Sequence, residues 1–284
     1  MAVAATGFFD GVHLGHRKVI ETLLECARER NEQSLVLTFW PHPRTVLQNG
    51  ARDLRLLTSL EEKRSILLSM GIDEVVVLPF TVDFAALTAR QYLSDIARDR
   101  YGVTAMVLGY DNRLGSDTLL PEKVVPLAEQ LGLETVCCPP EGEISSTRIR
   151  TALSEGRVED ASGMLGYPYM LHGVVVAGNR LGRTIGYPTA NVKLYEPLKV
   201  VPLTGAYIAE VEVNGRTCYG MTNIDAVGKI ETHIFNFSAD VYGLDIRLHF
   251  LSRIRPELKF NSLQELKKQL EADEESCKKF IFGI

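Results

Sequence analysis

Through the first half of the chain, short β-branched apolar runs alternate with longer stretches whose apolar residues recur at helical spacing. Val3 to Phe8, Leu35 to Trp40, Glu74 to Phe80, Ala105 to Leu108 and Glu134 to Cys138 predict strands. Leu14 to Arg30, Leu60 to Met70, Ala89 to Arg100 and Glu122 to Leu131 predict the helices between them. Regular succession of strand and helix implies a parallel sheet with helices on both faces. Two shorter helices, near Ser146 to Ser154 and Val158 to Leu165, end this half. Gly166-Tyr167-Pro168 then marks a boundary, dividing the chain into residues 1–166 and 167–284.

Beyond it the period changes. From Met170 to Leu251, strands are predicted at Gly173 to Val176, Ala206 to Val213, Lys229 to Phe237 and Asp245 to Leu251, separated by Asn-Gly, Gly and Pro turns. No long helix interrupts them, which implies an antiparallel barrel or sandwich. Ser262 to Phe280 spaces Leu263, Leu266, Leu270 and Cys277 for a terminal helix covering one side of it. The fold class is therefore α/β followed by a mainly β domain.

The chain has 284 residues, enough for two modest cores, and its 45% hydrophobic and 24% charged residues fit a globular protein. A net charge of −5 excludes the broad basic field of a nonspecific nucleic-acid binder, so any phosphate must meet a local site. Apolar runs are far shorter than the ~20 residues a membrane span needs, and the N-terminus does not read as a signal peptide. Cys26, Cys137, Cys138, Cys218 and Cys277 are odd in number and lack metal-ligand spacing, as expected of a reduced, cytoplasmic protein. Cys137 and Cys138 are expected to be plain core residues.

Directly after the first strand comes Gly7-Phe8-Phe9-Asp10-Gly11-Val12-His13-Leu14-Gly15-His16, leading into a helix. Glycines there let backbone N–H groups approach an anion, the helix N-terminus adds partial positive charge, and two imidazoles can donate to a polyphosphate. The run matches neither GxGxxG nor the P-loop. A metal pair would need a third ligand. Farther on, Ile144-Ser145-Ser146-Thr147-Arg148-Ile149-Arg150 offers hydroxyls at a helix start and two guanidinium groups, suited to an anion or to an ordinary capped helix.

In the second half, Gly178, Gly182, Arg183 and Gly186 precede Pro188-Thr189-Ala190-Asn191. The hydroxyl of Thr189 and the amide of Asn191 are hard oxygen donors of the kind Mg²⁺ takes beside phosphate, although the same four residues can be a plain turn. Strand alternation puts Glu231, His233, Phe235 and Phe237 on one face and Ile230, Thr232 and Ile234 on the other. A carboxylate among aromatics can be a general base near a planar ligand, or a solvated strand residue.

GFFDGVHLGH resembles the HxGH signature of nucleotidyltransferases in the GxFDGxHxGH form of bacterial bifunctional riboflavin kinase/FAD synthetases. Thr38-Phe39, Pro41-His42-Pro43, Leu57 to Lys63, Gly109-Tyr110-Asp111 and Ile144 to Arg150 follow in that family's order. GNRLGRTIGYPTAN resembles the flavokinase GxxxGRxxGxPTAN motif, and Asn223-Ile224, Ile230 to Phe235, Tyr242-Gly243 and Arg255 to Phe260 continue it. The resemblance implies a Rossmann-like nucleotidyltransferase domain and a flavokinase-like barrel acting on ATP, riboflavin and FMN.

By the same resemblance, Gly7, Phe8, Asp10, Gly15, His13 and His16 would serve the ATP triphosphate, and Ser146, Thr147 and Arg150 its β- and γ-phosphates. Asp111 would approach the ribose and Pro41-His42-Pro43 border the flavin. In the barrel, Gly178, Gly182, Arg183 and Gly186 would form the nucleotide loop, Thr189 and Asn191 hold Mg²⁺, and Glu231 take the proton of the riboflavin 5′-hydroxyl. Small molecules are the expected partners, with no nucleic acid, no membrane, and a monomer or weak homo-oligomer.

Three departures stand out. Met1 lies almost on the first strand, where family members carry a preceding stretch. Asn112-Arg113-Leu114-Gly115 replaces an aromatic-rich pattern. Between Asn223 and Glu231 only seven residues intervene, where the family has a longer loop with Gly-x-x-Pro-Thr. Two functions therefore stay open: a bifunctional enzyme making FMN and FAD, or an FMN adenylyltransferase whose barrel binds flavin without phosphorylating it. A noncatalytic flavin binder is the third, and requires the two phosphate motifs of the first half to be accidental.

Overall fold

The computed structural model describes residues 1–47, 53–140, 142–178 and 181–283. Two compact units emerge, Met1–Ser146 and Thr147–Ile284. In the first, strands β1 (Ala2–Thr6), β2 (Gln33–Trp40), β3 (Glu74–Pro79), β4 (Val103–Gly109) and β5 (Glu134–Cys138) form a parallel sheet in the order β3-β2-β1-β4-β5. Every residue of β1 is buried, because both sheet faces are covered. Alternation sends Val3 and Ala5 to one core with Ile20 and Leu23 of α1 (Leu14–Arg30), and Ala2 and Ala4 to another with Leu93 and Ala97.

The strand order reverses beside β1, so the segments leaving β1 and β4 meet at the carboxyl end of the sheet, where such folds bind ligands. Asn112 Nδ2 joins them by donating to the Thr6 carbonyl at 2.9 Å. Helix α2 (Leu60–Ser69) begins with a capping box, Ser59 accepting from the Glu62 amide and Glu62 from the Ser59 amide. Helix α3 (Pro121–Gln130) precedes β5.

Two expectations change in this unit. The helix predicted over Ala89 to Arg100 is α-helical only at Ala89–Gln91 and Asp99–Tyr101, with a π-helical stretch Tyr92–Arg98 between, a difference of winding that apolar spacing does not resolve over so short a run. Cys137 is exposed and only Cys138 is buried, since β5 is an edge strand and its alternate side chains face solvent.

The second unit opens with α4 (Ser146–Ser154, its first residue still in the first unit) and α5 (Val158–Leu165). A closed barrel follows in the order β10-β7-β6-β11-β8-β9. Its strands are β6 (Tyr169–Val176), β7 (Ala190–Leu194), β8 (Gly205–Val213), β9 (Arg216–Ile224), β10 (Ile230–Ile234) and β11 (Asp245–Arg255), paired antiparallel throughout. β7 and β9 have no counterpart in the sequence reading, because Asn191 and the Gly220-Met221-Thr222-Asn223 run dilute their apolar pattern. The Asn214-Gly215 turn between β8 and β9, with both residues at positive φ, is the hairpin signal that pairs them.

β10 is also shorter than predicted. It ends at Ile234, and Asn236 takes a left-handed φ of 54°, so Phe237 does not continue the face of Glu231. The terminal helix α6 (Leu263–Phe282) is capped by Ser262 and packs Leu270 and Cys277 with Tyr187, Ile208 and Met221. Leu263, expected on that buried stripe, is 47% exposed at the first turn.

Arg255 of β11 ties α6 to the barrel through two guanidinium bonds to Asp273, 2.9 Å to Oδ1 and 2.7 Å to Oδ2. Asp273 is buried, so Asp273→Ala leaves a guanidinium without its counter-ion and is expected to cost roughly 3–5 kcal/mol. Urea unfolding followed by circular dichroism measures it, and a loss below about 1 kcal/mol contradicts the tie.

Candidate functional sites

The first site is built on the loop between β1 and α1. Phe9 holds a left-handed conformation, φ 53°, which turns the chain so that Asp10 points inward. Its carboxylate accepts from the amides of Leu57 (3.0 Å) and Thr58 (3.1 Å), and Ser146 Oγ donates to its backbone carbonyl at 3.1 Å. Gly7 N–H is spent on the Leu37 carbonyl and Gly11 N–H on Thr58 Oγ1. Neither glycine amide is therefore left to cradle an anion, contrary to the expectation from the glycine spacing. What the loop presents is imidazole and the start of α1.

His13 caps α1: its Nδ1 accepts from the His16 amide at 3.3 Å, which puts the His13 proton on Nε2 as a donor. The two rings stack 3.7 Å apart, and Phe9 meets His16 edge-on. His16 Nδ1 is buried and has no hydrogen-bond partner among the described residues. Burial, then the neighbouring His13 and Lys63, hold the His16 pKa well below its ordinary value, so the ring is neutral. Gly15 sits against the His13 ring, where an added Cβ would press at 3.3 Å.

Phe8 faces Trp40, its ring 6.4 Å away, and meets His42 edge-on at 4.3 Å, so the predicted Pro41-His42-Pro43 segment does adjoin the HxGH loop. Asp111 is exposed just beyond β4. Thr147 is exposed and Arg150 half-buried, both on α4 within the second unit.

The second site lies on β7, β10 and β9. Glu231 pairs in register with Asn191 on one side and Asn223 on the other, so the three side chains share one face. Asn191 is buried and its Oδ1 has no partner among the described residues. Gly178 packs against that amide so closely that a Cβ would lie 2.0 Å from Asn191 Nδ2, and Gly182 stands equally close to the Tyr187 carbonyl. A side chain in place of Gly182 would run into backbone, and one in place of Gly178 would displace the Asn191 amide. Gly186 and Arg183 are exposed, and Asn179 and Arg180 of the same motif lie outside the described residues.

Thr189, Glu231 and His233 line a cavity of about 330 Å³, closed by Tyr187, Met221 and Phe260. His233 Nδ1 donates to the Pro188 carbonyl at 2.8 Å, fixing the tautomer and holding the turn before Thr189. Tyr187 donates to Glu274, and burial pushes its phenol up to about 12. The short connection between β9 and β10 is a tight turn in which Asp225 Oδ1 accepts from the amides of Val227 and Lys229. It leaves the ladder through Glu231 intact, and Lys229 Nζ lies 2.5 Å from Glu231 Oε1.

Several of these residues, Asp10's partner Thr58, Lys63, Asn223, Arg255 and Asp273, carried no role in the sequence reading. All but Asp273 fall inside motifs that it quoted, so position in a motif was the available signal. Asp273 had none, because one acidic residue on a charged helix looks solvated.

The FAD synthetase family model matches residues 1–151 and the riboflavin kinase family model residues 165–281. Bifunctional riboflavin kinase/FMN adenylyltransferases from Listeria monocytogenes and Bacillus subtilis are 36% and 37% identical over 98% and 100% of this chain, and 92% and 93% of their own. The chain belongs to the bifunctional riboflavin kinase/FMN adenylyltransferase family. The Escherichia coli member is 36% identical over 99% of this chain. A Streptococcus pneumoniae crystal structure described as a macrolide-efflux protein superimposes with a TM-score of 0.88 at 33% identity, over 98% of this chain and 93% of its own. Among the described residues no helix is long and apolar enough to cross a membrane.

Proposed function

We propose that residues 1–166 transfer the adenylyl group of ATP to FMN and that residues 167–284 transfer the γ-phosphoryl group of ATP to riboflavin, so that one chain makes FMN and then FAD. The observation that carries this is the tiling of the chain by two family models, each over a site that holds a buried polar atom without a partner among the described residues, His16 Nδ1 in one and Asn191 Oδ1 in the other.

In the adenylyl step an FMN phosphate oxygen attacks the α-phosphorus of ATP and pyrophosphate leaves. The phosphate is already largely ionised at neutral pH, its second pKa being ~6, so no strong base is needed and charge stabilisation dominates. His13 Nε2–H and the neutral His16 donate to the triphosphate. Ser146 is assigned to the β- and γ-phosphates, Asp111 to the ribose, and the Phe8, Trp40 and His42 rings to the flavin.

In the kinase step the 5′-hydroxyl of riboflavin attacks the γ-phosphorus, its proton passes to Glu231, and ADP leaves. A neutral alcohol gains from a positioned base, which is why this site holds a carboxylate and the other does not need one. The isoalloxazine fits the Tyr187, Met221 and Phe260 wall. Asn191 Oδ1 and the Thr189 hydroxyl suit Mg²⁺, being hard oxygen donors, one of them otherwise unsatisfied. Bound there, the ion would neutralise phosphate charge; His233 holds the turn that presents Thr189.

Chromatography of products tests the assignment. Riboflavin with MgATP is expected to give FMN, and FMN with MgATP to give FAD. Formation of FAD from FMN without any FMN from riboflavin would reduce the barrel to a flavin-binding domain.

A further inference from the structure

Lys63 on α2 is only 1% exposed, yet the hydrogen bond its ammonium makes is to a neutral acceptor, the Phe8 carbonyl at 2.7 Å. The same ammonium lies 3.8 Å from the centre of the Phe8 ring. Among the described residues no carboxylate lies within ion-pair distance of it, although Asp10 is near enough to favour the charge. A buried cation bound to a carbonyl and a ring face is costly for a role in folding alone, since a methionine of similar length would fill the space without desolvation. It sits near His16, whose Nδ1 is buried without a partner among the described residues, and behind the ring that meets Trp40 and His42.

We infer that Lys63 is a positioning residue for adenylyl transfer: in its charged form it ties Phe8, at the wall assigned to the flavin, to α2, and so anchors the segment that leads on to His13 and His16. It grips Phe8 at two points, carbonyl and ring, and so sets the wall's distance from the imidazoles. Its charge adds to the burial and the His13 neighbour that keep His16 neutral, and supplies positive potential where phosphate charge gathers. This inference rests on the assignment of adenylyl transfer to the first unit.

Burial lowers the Lys63 pKa from 10.5 to about 8, so the tie weakens as pH rises through about 8. Among the described residues, the charged or titratable groups coupled to it are Asp10 from the loop after β1 and His16 from the start of α1. His16 titrates well below that range. The sign for stability is opposite. Between about 8 and 10.5 the unfolded chain binds the proton that native Lys63 has lost, so Lys63's contribution to stability rises with pH. A residue that served only folding would give no loss of rate there.

The test uses the full chain, with FAD formation from FMN and MgATP followed between about pH 7 and 10 for wild type, Lys63→Arg and Lys63→Met. The wild-type rate is expected to fall through an apparent pKa near 8 while riboflavin phosphorylation shows no such limb. Lys63→Arg keeps the rate and abolishes the fall, because a guanidinium does not titrate there. Lys63→Met loses about 10- to 100-fold in kcat/KM for FMN, with KM for ATP nearly unchanged, as for a lost charged hydrogen bond. A wild-type profile flat to about pH 10 overturns the inference even if the methionine variant does not fold. So does a folded Lys63→Met enzyme with wild-type kcat/KM for FMN. His16→Ala, run beside them, separates the two layers: unimpaired FAD formation in that variant would remove the site assignment itself.

Discussion

His16→Ala is expected to cut FAD formation from FMN by about 10²- to 10³-fold, the loss usual when one donor to a developing phosphate or oxyanion charge is removed. Formation of FMN from riboflavin should continue at the wild-type rate, because His16 belongs to the HxGH loop of the first unit and the barrel has its own residues for the other reaction. The size of the effect follows from burial: an imidazole held neutral in a dry pocket donates to phosphate more strongly than one in water, and no solvent replaces it quickly. Removing the ring also takes away the partner stacked 3.7 Å from His13, so His13→Ala combined with His16→Ala should cost less than the product of the separate effects. Initial rates of FAD formation measured by chromatography, with FMN formation assayed in the same preparations, check both halves of this expectation. Parallel loss of the two activities in a well-folded variant would contradict separate sites.

Glu231→Gln is the reciprocal case, expected to lower riboflavin phosphorylation by about 10²- to 10⁴-fold with adenylyl transfer untouched. Glutamine keeps the shape and the ladder with Asn191 and Asn223 but cannot take a proton, so the loss should appear in kcat far more than in KM for riboflavin. Lys229 lies against this carboxylate at the cavity wall, and it stands in the short turn whose length departs from the family pattern. A Glu231→Gln enzyme that phosphorylates riboflavin normally would remove the base from the mechanism.

Much of the first unit was legible in the chain because a parallel sheet buried on both faces writes itself as continuous apolar runs, and α1 fell on Leu14–Arg30 as its spacing indicated. The barrel was less legible. β7 carries Asn191 and β9 carries Thr222 and Asn223, polar groups in register with β10 or bonded across it, as Thr222 is with Thr232 at 2.8 Å. Such residues break the alternation by which a strand is recognised. For the candidate sites, motif order singled out His13, His16, Asn191 and Glu231, but nothing in the string tells that Gly7 and Gly11 have already spent their amides, or that Lys63 is buried. Those are properties of three-dimensional neighbours: Leu37 and Thr58 are far along the chain from the glycines they engage.

Asn191, Glu231 and Asn223 stand in one row across three strands of a closed ring. With no free edge to slide along, those strands behave like meshed teeth: a single residue added inside β10 would rotate the carboxylate toward the packed interior and bring Thr232 or Ile230 outward in its place. Changes of length can be absorbed only where the teeth end, in the turn around Asp225. A shorter connection there leaves the spacing of Asn191, Glu231 and Asn223 unchanged.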